Sequence, residues 1–168
     1  MRFFKTIFNG EDTLEGWRVG FDIGNRRFGL EASTVTGKVT KTKYLGRWLI
    51  YLGWGTVRLH KFYRGDNDRA SHTHPWVFWT FPLSSYTEKR YDKGRYLGLF
   101  VVEAFRPHFR PTTFEHVVQG RFDAYAGINQ PDPRPFYTIV IGGLKSNEWG
   151  FYPSPGVFIH HKDFLNEQ

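Results

Sequence analysis

An antiparallel β-barrel or sandwich is the fold this sequence predicts, and three observations predict it. Aromatic residues make up 19% of the chain, with 17 Phe, 9 Tyr and 6 Trp, and such side chains suit pleated, half-buried surfaces. The 18 glycines and 9 prolines interrupt it at short intervals, which favours strands and turns over long helices. Short runs of alternating apolar and polar residues recur between those interruptions. At 168 residues the chain can bury one core of its own, so a single domain over 1–168 is expected.

Taken in order, residues 1–43 hold no strand signal of the strength seen later. The stretch 10–37 is polar and glycine-punctuated and reads as an N-terminal extension, a hairpin or a lid. The barrel core is expected over 44–161. Its clearest strands are 56–63 (TVRLHKFY), 76–81 (WVFWTF), 97–105 (LGLFVVEAF), 114–118 (FEHVV) and 136–141 (FYTIVI), with weaker ones at 26–34, 47–52 and 157–160. Turns are expected at 64–71 (RGDNDRAS), 92–94, 106–111 (RPHFRP) and 130–135 (QPDPRP). Within the first of these, Gly65-Asp66-Asn67-Asp68 resembles part of a calcium loop but lacks its full ligand series, and reads as a turn. Residues 162–168 read as a short terminal helix or a disordered tail.

Cysteine is absent, which excludes disulfides, thiolate metal ligands and a cysteine nucleophile. Any metal must be held by nitrogen and oxygen. The net charge of +7 suits an anionic partner such as nucleic acid, or is a solvated basic surface, since the basic residues are dispersed. The apolar run 44–54 (YLGRWLIYLGW) is too short to span a bilayer and contains Arg47. The first residues lack the long apolar stretch of a signal peptide. A cytoplasmic protein is expected. Phosphate-binding glycine loops, HExxH and GxSxG are all missing.

The chemistry lies in the histidines. His72-Thr73-His74 precedes Pro75 and an aromatic run, and residues i and i+2 of a strand project to one face, so both imidazoles can reach one ion. A third, His116, follows in Pro111-Thr112-Thr113-Phe114-Glu115-His116. This pairing resembles the two motifs of the cupin superfamily, HxH and PxGxxH, with Thr113 in place of the glycine. The resemblance implies a double-stranded β-helix (jelly-roll) barrel in which both motifs meet at one metal. Phe78 and Trp79 occupy the positions where cupins carry a glutamate ligand, and Gly120 stands where an asparagine often ends the second motif.

A closer resemblance is to cupin-like proteins of phages and prophages, marked by RW, LHRF, HxHPW, FxH and WGF. Here these are Arg47-Trp48, Leu59-His60-Lys61-Phe62, His72-Thr73-His74-Pro75-Trp76, Phe114-Glu115-His116 and Trp149-Gly150-Phe151. A phage-encoded member would work in the host cytoplasm. Cupins often dimerise, so the resemblance also implies a homodimer.

Three neutral imidazoles suit Fe, Mn, Ni, Cu or Zn and leave coordination positions open. His60 is a further metal ligand or a hydrogen-bonded core histidine. Glu88 is a ligand, a general base, or an exposed member of the run Glu88-Lys89-Arg90. Arg106 and Arg110, flanking His108, grip an anionic substrate or form surface charge. Trp76 is the aromatic residue expected in the pocket, because its parity matches the two histidines. Trp79 and Phe81 are expected mostly in the core. His160-His161, if on a strand, point to opposite faces and do not chelate together.

These residues favour a metal-dependent enzyme, with mononuclear-iron dioxygenase-type chemistry on a small or anionic substrate as the first reaction to consider. The alternatives are a non-catalytic module binding a nucleotide, nucleic acid or protein, and a purely structural metal.

Overall fold

The computed structural model describes residues 1–9, 14–37, 41–66, 70–123 and 127–166. Residues 67–69 of the expected 64–71 turn and the last two residues of the tail lie outside that set. In chain order the strands are β1 (Arg2–Asn9), β2 (Leu14–Ile23), β3 (Arg26–Thr36), β4 (Lys43–Leu52), β5 (Thr56–Phe62), β6 (Ser71–His72), β7 (Phe78–Pro82) and β8 (Tyr86–Asp92). They continue with β9 (Arg95–Val102), β10 (His108–Arg110), β11 (Glu115–Asp123), β12 (Gly127–Asp132), β13 (Phe136–Gly142), β14 (Gly150–Ser154) and β15 (Val157–His160), and one helix, α1 (His161–Asn166), follows.

These strands build two antiparallel sheets, the barrel class expected. One has eight strands in the order β1-β2-β3-β4-β5-β13-β7-β10; the other has seven, β15-β14-β6-β11-β8-β9 with β12 paired to β11. The core between them is aromatic. Phe136, 1% exposed, stacks on Phe62 at 4.8 Å and on Tyr86 at 4.9 Å. Burying such a ring contributes about 1.5–3 kcal/mol.

Several elements differ from the sequence expectation. The residues before Lys43 form three long strands that extend the larger sheet from its edge. Their signal is weak because both faces of the pairing carry apolar side chains: Phe3 and Ile7 face one way and Phe8 the other. The charged run at Glu88 is a strand interior, paired with β9 on one side and β11 on the other. The expected 106–111 turn contains β10, and the 130–135 turn is entered from β12. The 97–105 strand stops at Val102, three residues before Phe105, whose φ is 59°. The 76–81 strand begins only at Phe78.

Parity on β7 corrects a further expectation. Phe78 and Thr80 face the interior, while Trp79 is 48% exposed. The outer face of the eight-stranded sheet is consequently apolar across its width. One row runs Val19, Leu30, Ile50, Val57, Ile141, Trp79, Phe109, and the next runs Trp17, Ala32, Trp48, Leu59, Ile139, Phe81. The exposed large side chains among these are 36–51% open.

Two glycines set the geometry near the histidines. A Cβ on Gly65 would lie 2.1 Å from the Gln119 carbonyl oxygen, so only glycine lets that loop dock on β11, where the Asp66 amide donates to the Val118 carbonyl at 2.6 Å. Gly120, with φ of 114°, sits where the β8–β11 register shifts and provides the bulge. The six-residue helix α1 is too short to stand alone. It is anchored by Phe164, which stacks on Phe151 at 4.1 Å. Among the described residues, no helix is long and apolar enough to cross a membrane.

Candidate metal centre

His72 ends β6, His74 lies in the loop that follows, and His116 is the second residue of β11, directly opposite His72 in the ladder. Ladder pairing, and not strand alternation alone, brings the histidines together. One ring nitrogen from each lies within 4.8 Å of those of the other two. His74 Nε2 is 3.0 Å from His116 Nε2. Two nitrogens bound to one ion at about 2.0–2.1 Å are separated by roughly that distance, so the donor set fits a divalent metal.

The protonation pattern also fits. A carboxylate only accepts hydrogen bonds, so at 3.1 Å His116 Nδ1–H donates to Glu88 Oε2, leaving the His116 Nε2 lone pair turned to the cluster. Burial, reinforced by His72 and His116, pushes the His74 imidazole well below its ordinary pKa and keeps it neutral, the form that binds metal. His72 Nδ1 lies 4.0 Å from Asp66 Oδ2, and Asp66 is itself buried.

Glu88 stands behind His116 and does not line the cavity. It is fully buried and meets Arg90 Nε and Arg110 Nη2, each at 2.9 Å, besides His116. Burial alone would raise its carboxyl, but the His116 hydrogen bond and the two arginines outweigh that and hold it below the usual range. An exposed position for Glu88 is therefore ruled out, and its contact is with the ligand's far nitrogen. Arg110 is spent on this carboxylate and on the Phe114 ring, 4.1 Å below its guanidinium. Arg106 is 72% exposed and pairs with Glu103 at 2.8 Å. Neither arginine lines the cavity.

That cavity, about 290 Å³, is walled by Phe62, Phe78, Tyr86, Val140 and Phe151 around the three histidines. His60 lines it from β5, outside the three-nitrogen cluster. Among the described residues, its Nε2 is buried with no hydrogen-bond partner. Burial, then the cations Arg58 and Arg47, push its pKa well down. Trp76 lines the same cavity, and its ring carries the Arg58 guanidinium at 4.0 Å.

Sequence reasoning passes over an inner charge cluster beside this cavity. Glu31, 3% exposed, accepts from Arg18 at 2.7 Å and Tyr51 at 2.7 Å and pairs with Arg47 at 3.2 Å. The alternation of β5 could have revealed Arg58, since Thr56, Arg58, His60 and Phe62 share one parity. The His160-His161 expectation is corrected. The strand ends at His160 and the helix begins at His161, so the rings stand 4.2 Å apart. With Glu148 they form a second, more exposed trio of ligand atoms within 4.8 Å, in which Glu148 Oε2 already meets His160 Nε2 at 2.6 Å.

No protein-family model and no curated protein sequence matches the chain. Among solved structures it is similar to Fe(II) HppE, at 12% identity over 83% of this chain and 64% of that one, with a TM-score of 0.49. It is also similar to the hydroxypropylphosphonic acid epoxidase from S. wedmorenis in complex with fosfomycin (11%, 59% of this chain, 51% of that one, TM-score 0.45). A cupin domain from Bordetella pertussis Tohama I is similar as well (14%, 60% of this chain, 94% of that one, TM-score 0.44). The chain thus spans between 51% and 64% of the length of the first two.

Proposed function

We propose that this protein holds one divalent transition-metal ion on His72, His74 and His116 and acts as a metal-dependent enzyme on a small anionic substrate, with mononuclear-iron oxygenase-type oxidation as the first reaction to test. The observation that carries this reading is the convergence of three imidazole nitrogens on a cavity with room for a small molecule. A bound ion supplies a Lewis acid with coordination positions left open by three ligands. The chain's own side chains do the rest. Glu88 fixes the His116 tautomer by accepting a hydrogen bond from its Nδ1–H. Phe62, Phe78 and Val140 exclude water. His60 adds a neutral imidazole to the cavity wall.

Elemental analysis of tag-free protein tests the reading, with a His161→Ala control to remove the exposed trio. About one ion per chain is expected to survive dialysis in both proteins. A metal-free result after reconstitution with Fe, Mn, Ni, Cu and Zn would overturn it. Blank oxygen uptake by the iron-loaded protein across small organic acids would remove the oxygenase assignment and leave metal binding standing.

The outer apolar face fits a second copy of the chain. On the order of 1,000 Å² of apolar surface is open there, against about 800 Å² per partner in a standard interface. That exceeds the patches monomers usually expose, and an apolar face can meet itself across a two-fold axis. Light scattering is expected to give a dimer mass for the wild type and a monomer for Trp48→Glu combined with Ile50→Glu. A wild type that stays monomeric at high concentration would refute the assembly.

A further inference from the structure

A second, wider pocket of about 420 Å³ opens at one end of the barrel, between the β2–β3 turn, the β4–β5 turn and the segment 143–145. Arg58 and Trp76 line both this mouth and the metal cavity, so they stand at the boundary between the two. We propose that Arg58 anchors the carboxylate of a small monoanionic organic acid whose remainder extends toward the three histidines. This deepens the substrate class of the function proposed above and rests on that cavity being the substrate chamber.

The charges of the mouth select Arg58. Arg27 is engaged by Asp22 through two contacts of 3.0 and 3.2 Å, and Lys145 lies 3.7 Å from Glu148. Deeper in, Arg47 has Glu31. Arg58 Nε donates to Thr56 Oγ1 at 2.9 Å, and no carboxylate lies within ion-pair distance of Arg58 among the described residues. A half-buried guanidinium without a counter-ion is costly, and an incoming anion removes that cost. One uncompensated cation matches one negative charge, which favours a carboxylate over a doubly charged phosphate.

Its presentation suits the same ligand. The guanidinium carbon lies over the Trp76 ring, 4.0 Å from its centroid, and among the described residues no carboxylate engages the Nη edge. That edge is the fork that binds a carboxylate by two parallel hydrogen bonds. The indole is held in place by the bare backbone of Gly142, where an added Cβ would come within 3.1 Å of it. His60, two residues along β5 on the same face, lines the inner cavity. Arg58, which borders both chambers, therefore shares the inner one with His60 and the histidine cluster.

Calorimetric titration of acetate, benzoate and inorganic phosphate into zinc-loaded and metal-free protein tests the proposal. Saturable carboxylate binding is expected, tighter than that of phosphate. Arg58→Gln should weaken it about 10–100-fold, the loss of a charge-assisted pair. Arg58→Lys, which keeps the charge without the fork, should fall between, and the exposed Arg95→Gln should match the wild type. Metal stoichiometry should be unchanged in Arg58→Gln, whereas His74→Ala should lose metal and retain carboxylate binding, which separates failure of the metal reading from failure of this one. Spectra of wild-type protein labelled with ¹⁵N-arginine remove dependence on variant folding: the Arg58 Nε signal should move on titration. Wild-type affinity in Arg58→Gln, an unmoved Arg58 signal, tighter phosphate binding, or no carboxylate binding at all would each overturn the proposal.

Discussion

His74→Ala protein is expected to lose bound metal more than about 100-fold relative to wild type, measured as ion per chain after dialysis against a weak chelator. The size of the effect follows from the ligand set. Removing an outer-shell partner of a metal ligand typically costs about 10–100-fold in affinity, and His74 supplies one of only three ligand nitrogens in the cluster. With no carboxylate among them, nothing in the cluster offers charge to offset the loss. His72→Ala and His116→Ala should behave alike. His60→Ala, outside the cluster, should keep its ion, and that contrast separates a three-histidine site from a four-histidine one. In the metal-free protein His74 Nε2–H donates to the His116 Nε2 lone pair at 3.0 Å, so His74→Ala should cost the fold one hydrogen bond, about 0.5–1.5 kcal/mol, beyond the packing of the ring. Occupancy falling only slightly in all three variants would refute the centre.

The parts of this site that sequence reveals are those governed by short-range rules. The spacing His72-x-His74, a third histidine after a proline-led turn, and the alternation of β5 and β13 are local features, and the barrel class follows from them with the aromatic and glycine content. What escapes is governed by ladder pairing. Glu88-Lys89-Arg90 has the composition of a surface segment, yet pairing on both sides makes it a central strand and buries Glu88. Arg110 reads as a substrate clamp because its neighbours are a proline, an aromatic and a histidine. Three-residue pairing of β10 with β7 instead turns it inward onto Glu88. The parity of β5 places Arg58 on the cavity face, but its lack of a carboxylate partner among the described residues is visible only once Arg18 and Arg47 are seen to share Glu31. The strand end at His160 likewise depends on Phe164 finding Phe151, a contact no local pattern specifies.

Glu88→Gln is expected to destabilise the fold by about 3 kcal/mol and to weaken metal binding about 10–100-fold. The carboxylate joins two arginines and one metal-cluster histidine, and its amide replacement leaves Arg110, 4% exposed, as a buried cation without its anion. The amide can still accept one hydrogen bond, but it can also present NH₂ to His116 Nδ1. That would reverse the tautomer and place a proton on the Nε2 that should face the metal. Glu88→Asp, which keeps the charge but shortens the reach, should recover part of the stability and less of the metal affinity. Acid unfolding supplies a second readout. The Glu88 carboxyl is held below its ordinary value, so its contribution is fully present above the unfolded-state pKa near 4.5 and is lost as pH falls through the lower folded-state value. Glu31, lowered in the same direction by Tyr51, Arg47 and Arg18 against the opposing effect of burial, titrates over the same range. The acid limb of the wild type should therefore be steeper than that of Glu88→Gln without vanishing in the variant. Equal stability and equal metal affinity in the two proteins would show that Glu88 fixes neither the strand nor the histidine it touches.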